Sequence, residues 1–305
     1  MAEYKDIAII GGGPAGYTAA IYAGRAGFSS AVIEKMSPGG QMGITSTIEN
    51  YPGFASVDGF ELASKMMEQA EGFGAEMIYG EVTSVELEGK RKKIVYDGGE
   101  IECRVIMIAT GAKPRMLDKP GEREYSGRGV SYCATCDGMF FRGKTVVVNG
   151  GGDTAIEDAL YLSNIAQKVY LVHRRDSFRA AASGVKKAAA KENIEFVMDS
   201  TVEEIRGDGS MVTSVLLRNT KNGEERELAC GGIFVAIGRV PETAIFAGQI
   251  TLDDSGYMIA DETCRTNIEG VYAIGDVRTK PLRQIVTACA DGASAMKFAE
   301  EYLAE

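Results

Sequence analysis

Cys133 and Cys136 are the only two of the six cysteines in this 305-residue chain that lie close together in sequence. Thiols two residues apart can close a local disulfide, and a thiol near a helix N-terminus is readily lowered in pKa. Cys103, Cys230, Cys264 and Cys289 are scattered singly, which reads as small buried hydrophobes of a reducing compartment. A structural zinc site would need a second close cysteine or histidine pair. The chain has one histidine, His173, and no metal site is expected. Disulfide exchange releases a thiolate that a nearby acid must protonate, and histidine is the usual donor. His173 belongs to a basic cluster far along the chain, so the adjacent Asp137 is the best remaining acid. A helix-capping role for Asp137 before Gly138 is compatible with that reading.

The elements that must position this pair emerge from an internal repeat. Ala8-Ile9-Ile10-Gly11-Gly12-Gly13-Pro14-Ala15-Gly16 recurs as Val147-Val148-Asn149-Gly150-Gly151-Gly152-Asp153-Thr154-Ala155. Each copy follows a β-branched apolar run, opens an alanine-rich helical stretch and leads to a second apolar strand, Ser30-Ala31-Val32-Ile33 or Val169-Tyr170-Leu171-Val172. In such a unit the first glycine permits a tight turn, the second lets backbone approach a pyrophosphate, and the third position must be small for helix–strand packing. The pyrophosphate rests on the free N–H groups of the helix start. Asn149, standing where the first copy has Ile10, is the one polar departure in the strands.

Alignment of the copies sets Glu34 opposite His173. A carboxylate at that position accepts from the hydroxyls of an unphosphorylated ribose, so the first copy suits FAD or NAD. The second copy has His173-Arg174-Arg175-Asp176-Ser177-Phe178-Arg179. Guanidinium forks bind a 2′-phosphate that a carboxylate would repel, so the second copy prefers NADPH. Two further strands end alike, Val105-Ile106-Met107-Ile108-Ala109-Thr110-Gly111 and Ile233-Phe234-Val235-Ala236-Ile237-Gly238. Each is followed by a proline, Pro114 or Pro241, consistent with two short connections between domains. The chain then returns with Gly270-Val271-Tyr272-Ala273-Ile274-Gly275-Asp276. The expected fold is α/β, with two Rossmann-like, three-layer ββα nucleotide-binding domains. A first domain, 1–113 with 244–305, is interrupted by a second, 114–243, that carries the cysteine pair.

The formal net charge of -10 and pI near 4.9 exclude a basic nucleic-acid footprint. No apolar run approaches membrane-spanning length and the N-terminus has no room for a signal peptide, so the expectation is a cytoplasmic protein.

Taken in order, Gly-Gly-Gly-Pro-Ala-Gly, Cys-Ala-Thr-Cys-Asp-Gly, Gly-Gly-Gly-Asp-Thr-Ala, His-Arg-Arg-Asp-Ser-Phe-Arg and Gly-Val-Tyr-Ala-Ile-Gly-Asp resemble the low-molecular-weight thioredoxin reductases of bacteria over essentially the whole chain. The resemblance implies FAD on Gly11, Gly12, Gly13, Pro14, Ala15, Gly16, Glu34, Lys35, Gly40, Gln41, Asn50, Ala109, Thr110, Gly111, Gly275, Asp276, Arg283, Gln284 and Ile285. It implies NADPH on Gly150, Gly151, Gly152, Asp153, Thr154, Ala155, His173, Arg174, Arg175, Arg179, Ile237, Gly238 and Arg239. Cys136 would face the flavin, Cys133 would attack the partner disulfide, and Asp137 would be the acid. The partner would be thioredoxin or a thioredoxin-like protein, docking near Arg128, Met139 and Phe140 in the run ending at Phe141, and the enzyme a homodimer. Because nicotinamide and disulfide must use the same flavin in turn, the family rotates one domain against the other. The rivals are a ferredoxin-dependent relative, which would lack the second glycine turn and its arginines; a peroxiredoxin-linked flavoprotein, which would carry an added N-terminal dithiol domain; and a flavin-based redox sensor.

Overall fold

The structure, a computed structural model, describes residues 3–35, 38–45 and 47–305. Met36 and Ser37, inside the expected cofactor stretch 34–41, lie outside the described residues. The chain forms two compact units, Met1–Lys113 with Val240–Glu305, and Pro114–Arg239. The return falls at Arg239/Val240 rather than at 243/244. Glu242 and Thr243 already bond within the first unit: Glu242 N–H donates to Gly111 O at 3.0 Å and Thr243 Oγ1 to Gly256 O at 3.1 Å.

In the first unit, Glu3–Ile10 is central to a seven-stranded sheet. It pairs in parallel with Ser30–Glu34 on one side and Gly99–Ile108 on the other. The long strand Gly99–Ile108 splits its far edge. Its first half pairs antiparallel with Lys92–Tyr96, and its last residues pair in parallel with the returning Val271–Ala273. Side chains alternate across a strand. Ile7 and Ile9 therefore join the core under the helices Pro14–Arg25, Gly59–Gly72 and Ile285–Ala304, while Ala8 and Ile10 join the core on the opposite face with Val82, Val85, Leu87 and Ile94. Burial on both faces explains why these strands read as unbroken apolar runs.

The second unit repeats the plan with a five-stranded parallel sheet in the order Ile194–Val197, Lys168–Val172, Thr145–Asn149, Gly232–Val235, Val130–Ser131. Val147, Val172 and Ile233 face a three-stranded antiparallel layer, Ser200–Gly207, Val212–Asn219 and Glu225–Ala229. Val146, Val148, Leu171 and Phe234 face the helices. Asn149 ends its strand buried at 9% exposure and keeps the register, opposite Val172 and Val235.

Candidate active site

The first glycine turn is built by close backbone approach. Gly11 has φ +112°, and a Cβ there would collide with Ala109 O. A Cβ on Gly16 would collide with Gly11 O, which brings the helix against the strand. Between them Gly13 is open, its nearest neighbour being Gly39 O at 4.0 Å. Open space over a backbone N–H at a helix start is what a pyrophosphate requires. Pro14 begins the helix and Ala15 is buried in it. Glu34, at its strand end, accepts from Gly12 N–H at 2.8 Å.

Around this turn the structure brings together residues from both ends of the chain. Asn50 Nδ2 donates to Gln284 Oε1 at 3.0 Å. Gln284 caps the helix Ile285–Ala304 in a capping box with Thr287, and Ile285 is half-buried at its start. Arg283 donates to the backbone oxygens of Asp276 and Arg278 and lies over the Tyr257 ring at 3.9 Å. Gly111 (φ +72°) and Gly40 (φ +54°) are open, Gln41 is exposed, and Thr110 Oγ1 donates to Glu242 O at 2.8 Å. Lys35 is otherwise engaged, paired with Glu242 at 3.4 Å and Glu81 at 3.6 Å.

The second glycine turn differs in its lid. Gly150 is packed on Ala236 O and Ala155, and Gly152 has nothing within 4 Å of a built Cβ. Asp153 Oδ1 accepts from Ala181 N–H at 2.8 Å, while Thr154 is exposed. His173 was grouped with the arginines, but its ring turns inward. It is 6% exposed, sits where a Cβ on Gly151 would go, contacts Ser177 O through Nε2 at 3.1 Å and stacks on Phe178. Burial pushes its pKa down, and Arg174, Arg175 and Arg179 push the same way. Those three arginines are exposed, and no carboxylate pairs with them among the described residues. Gly238 (φ +107°) is open and exposed, and Ile237 and Arg239 are half-buried beside it.

Cys133 and Cys136 are joined by a disulfide, both half-buried, on the helical turn Ala134–Asp137 that follows the edge strand Val130–Ser131. Asp137 makes no capping bond. Its Oδ2 accepts from Ser131 Oγ at 2.6 Å, and burial raises its pKa against the lowering effect of that bond. Tyr132 donates to Glu122 Oε1 at 3.0 Å, and the same carboxylate accepts from the N–H groups of Leu117 and Asp118. Thus a 1%-exposed carboxylate anchors the residue before Cys133. Arg128 is committed to its own unit through Gly209 O, Glu124 O and the Tyr125 ring. Met139 and Phe140 are exposed, whereas Phe141 is core, edge-on to Phe234 at 5.1 Å. Burial pushes the Cys103, Cys230 and Cys264 thiols up to about 12; Cys289 is half-buried, with its sulfur 4.0 Å from Tyr51 Oη.

Sequence reasoning missed Ser131, Glu122 and one further group behind the Gly275–Asp276 turn. There Asp291 accepts from Gly275 N–H at 2.8 Å, Arg278 at 2.8 and 3.0 Å, and Lys280 at 2.6 Å, all of it buried. The available signal was a single acid, Asp291, within an otherwise small and apolar stretch of helix.

Two nucleotide-type turns on duplicated sheets, one unit carrying a disulfide beside a half-buried acid, define a disulfide oxidoreductase. Residues 5–292 match the family model described as pyridine nucleotide-disulphide oxidoreductase, and the chain belongs to that family. Among its relatives, a thioredoxin reductase of Peptoclostridium acidaminophilum is 48% identical, with 99% of this chain and 98% of that one covered. The Bacillus subtilis thioredoxin reductase is 46% identical over 100% of this chain and 97% of its own. The crystal structure of the Streptococcus pyogenes thioredoxin reductase superimposes with a TM-score of 0.94 at 47% identity, covering 100% and 99% of the two chains.

Proposed function

We propose that this chain is an FAD-dependent reductase that takes electrons from NADPH and delivers them, through Cys133 and Cys136, to the disulfide of thioredoxin or a thioredoxin-like protein. The observation that carries the reading is the Cys133–Cys136 disulfide with half-buried Asp137 beside it, placed just before the second glycine turn. The names of the relatives, at 46–48% identity over the full chain, support the choice of partner.

Open space over Gly13, Gly40 and Gly111 fits a dinucleotide lying along the first unit, and the space over Gly152 fits one on the second. In the first unit Glu34, Asn50, Asp276, Arg283 and Gln284 would hold FAD, and the start of the helix at Ile285 would place a positive end near its ring. In the second unit Arg174, Arg175 and Arg179 would hold the 2′-phosphate of NADPH. Bound FAD supplies a carrier that passes two electrons from a nicotinamide to a disulfide. Reduced Cys133, as thiolate, attacks the partner disulfide to form a mixed disulfide and release one partner thiolate, which Asp137 protonates. Cys136 then attacks Cys133 Sγ, releasing the second partner thiolate and restoring the starting disulfide. A homodimer working in the cytoplasm completes the reading, in line with the family resemblance.

The test is an anaerobic titration of the purified flavoprotein with NADPH, NADH and oxidised thioredoxin in turn. Flavin absorbance bleaches with NADPH and returns with thioredoxin; flavin that NADPH leaves oxidised refutes the assigned donor.

A further inference from the structure

Ser131 ends the edge strand and pairs with Phe234 of the neighbouring one. It is 4% exposed, yet its hydroxyl meets three polar groups. It accepts from Cys133 N–H at 3.1 Å, donates to Asp137 Oδ2 at 2.6 Å and lies 3.3 Å from Cys133 O. Cys133 O in turn accepts from Asp137 N–H at 3.1 Å. Hydroxyl, carboxyl and the backbone of the first cysteine thus close a ring.

A hydroxyl has one proton and two acceptor lone pairs. With Asp137 ionised, the Ser131 proton goes to Oδ2 and the serine oxygen accepts from Cys133 N–H. With Asp137 protonated, the carboxyl O–H becomes the donor. The serine oxygen then accepts from both Asp137 and Cys133 N–H, and its own proton turns to Cys133 O. All partners are satisfied in both states, and one O–H rotation interconverts them. A buried network satisfied in only one state would resist proton transfer.

We propose that Ser131 is a positioning residue for the thiol chemistry: it holds Asp137 against the first cysteine's backbone and lets that carboxyl gain and lose a proton with no buried group left unpaired. This rests on Asp137 being the acid. The surroundings of Asp137 act on it through burial and the Ser131 bond. The helix Asp153–Ser163, which packs on this turn, carries Asp153, Glu157, Asp158 and Tyr161, the last with its ring against Gly138; Gly232–Val235 and Gly138–Phe141 carry no titratable group; the turn itself contributes Cys133 and Cys136.

The experiment uses the holoenzyme with three readouts: the infrared carboxyl band of Asp137 against pH, identified by its loss in Asp137→Asn; the amide shift of selectively labelled Cys133; and the pH profile of thioredoxin reduction. In the unmodified protein the Cys133 amide titrates with the Asp137 midpoint. Ser131→Ala moves that midpoint up by about one to two pH units, since the carboxylate loses a charge-assisted bond. The activity limb follows it, the amide no longer titrates with the carboxyl, and Ser131→Thr restores all three. A Ser131→Ala protein with reduced rate but an unmoved midpoint overturns the proposal, as does failed rescue by threonine. Should Ser131→Ala not fold, an unmodified Cys133 amide that shows no inflection at the Asp137 midpoint overturns it equally. An Asp137→Asn protein with an unchanged pH profile removes the acid assignment instead, leaving the amide coupling as a separate observation.

Discussion

Asp291→Asn changes one atom's chemistry at the centre of the buried network under the Gly275–Asp276 turn. The residue is 5% exposed and Arg278 2%, and the Lys280 side chain is 4% exposed. Asp291 receives four hydrogen bonds, three of them from cations. Asparagine fits the same space but leaves two buried cations with no carboxylate between them. Removing one partner of a buried pair costs about 3–5 kcal/mol, and that is the loss expected here. The chain has no tryptophan, so urea unfolding is followed by far-UV circular dichroism, comparing the transition of the unit containing the network. The pH dependence has a definite sign. Arg278 and Lys280 hold the Asp291 carboxyl below its usual range against the opposing effect of burial. Its contribution is therefore present above the ordinary carboxylate pKa and lost as pH falls through the depressed value; the variant lacks that acid limb. Gly275 (φ +76°) is held by the same side chain, so its turn loosens as the network loses its charge and FAD affinity falls with stability. The triple variant Arg278→Met/Lys280→Met/Asp291→Leu recovers much of the loss, because no buried unpaired charge remains. A loss below about 1 kcal/mol for Asp291→Asn, or a triple variant no better than the single, refutes the reasoning.

Neighbouring glycines separate stability from binding: Gly151→Ala strikes the His173 ring and lowers the melting temperature, whereas Gly152→Val leaves melting unchanged and weakens NADPH binding at least about tenfold by calorimetry. Arg174→Ala and Arg179→Ala each weaken NADPH by roughly 10- to 100-fold and leave NADH unchanged, as the loss of a charged phosphate contact requires. Half-buried Asp158 has its carboxyl pushed up to about 7 by burial and by Glu157. Its contribution is full below the ordinary carboxylate pKa and fades as pH rises toward that value, so Asp158→Asn gains about 2 kcal/mol above neutrality, discounted for partial exposure, and none in acid. Tethering the two units by an engineered cross-link blocks thioredoxin turnover while one half-reaction survives; full turnover in a verified cross-linked sample refutes the proposed movement between them.

What could be read from the chain was what chemistry imposes locally. A tight turn, an open backbone N–H and a small helix residue can each be met by few side chains, so Gly11, Gly13 and Gly16 announce themselves. The cysteine spacing does likewise. Groups that meet only through the fold stayed hidden. Asp291 finds Arg278 because a helix folds back under a turn, and Glu122 finds Tyr132 through a loop. Ser131 carries no signal in the sequence, since nothing in a lone serine announces the ring it closes. Neighbours in sequence also take different surroundings in the fold. His173 precedes two exposed arginines, whereas its own ring is buried against Gly151 and stacks on Phe178. Lys35 follows Glu34 but is drawn to Glu242 and Glu81. Phe141 follows exposed Phe140 but is buried in the core against Phe234.

Under the proposed assignment, the aligned positions Glu34 and His173 indicate how one plan would serve two nucleotides. Each side chain lies against the middle glycine of its turn: a Cβ on Gly12 would sit 3.2 Å from Glu34 Cβ, and one on Gly151 would meet the His173 ring. Both positions therefore pack on the middle glycine, tightly at Gly151 and, together with Tyr17, at Gly12. In the first copy the packing group is also the charged group, accepting from Gly12 N–H at 2.8 Å. In the second, burial favours the neutral ring, and the charge that distinguishes nucleotides moves outward to Arg174, Arg175 and Arg179. A carboxylate in place of His173 would repel a 2′-phosphate held by those arginines. The neutral ring fills the space beside Gly151 without that repulsion, so under the proposed assignment the turn's open N–H groups would take the pyrophosphate while the arginines take the 2′-phosphate.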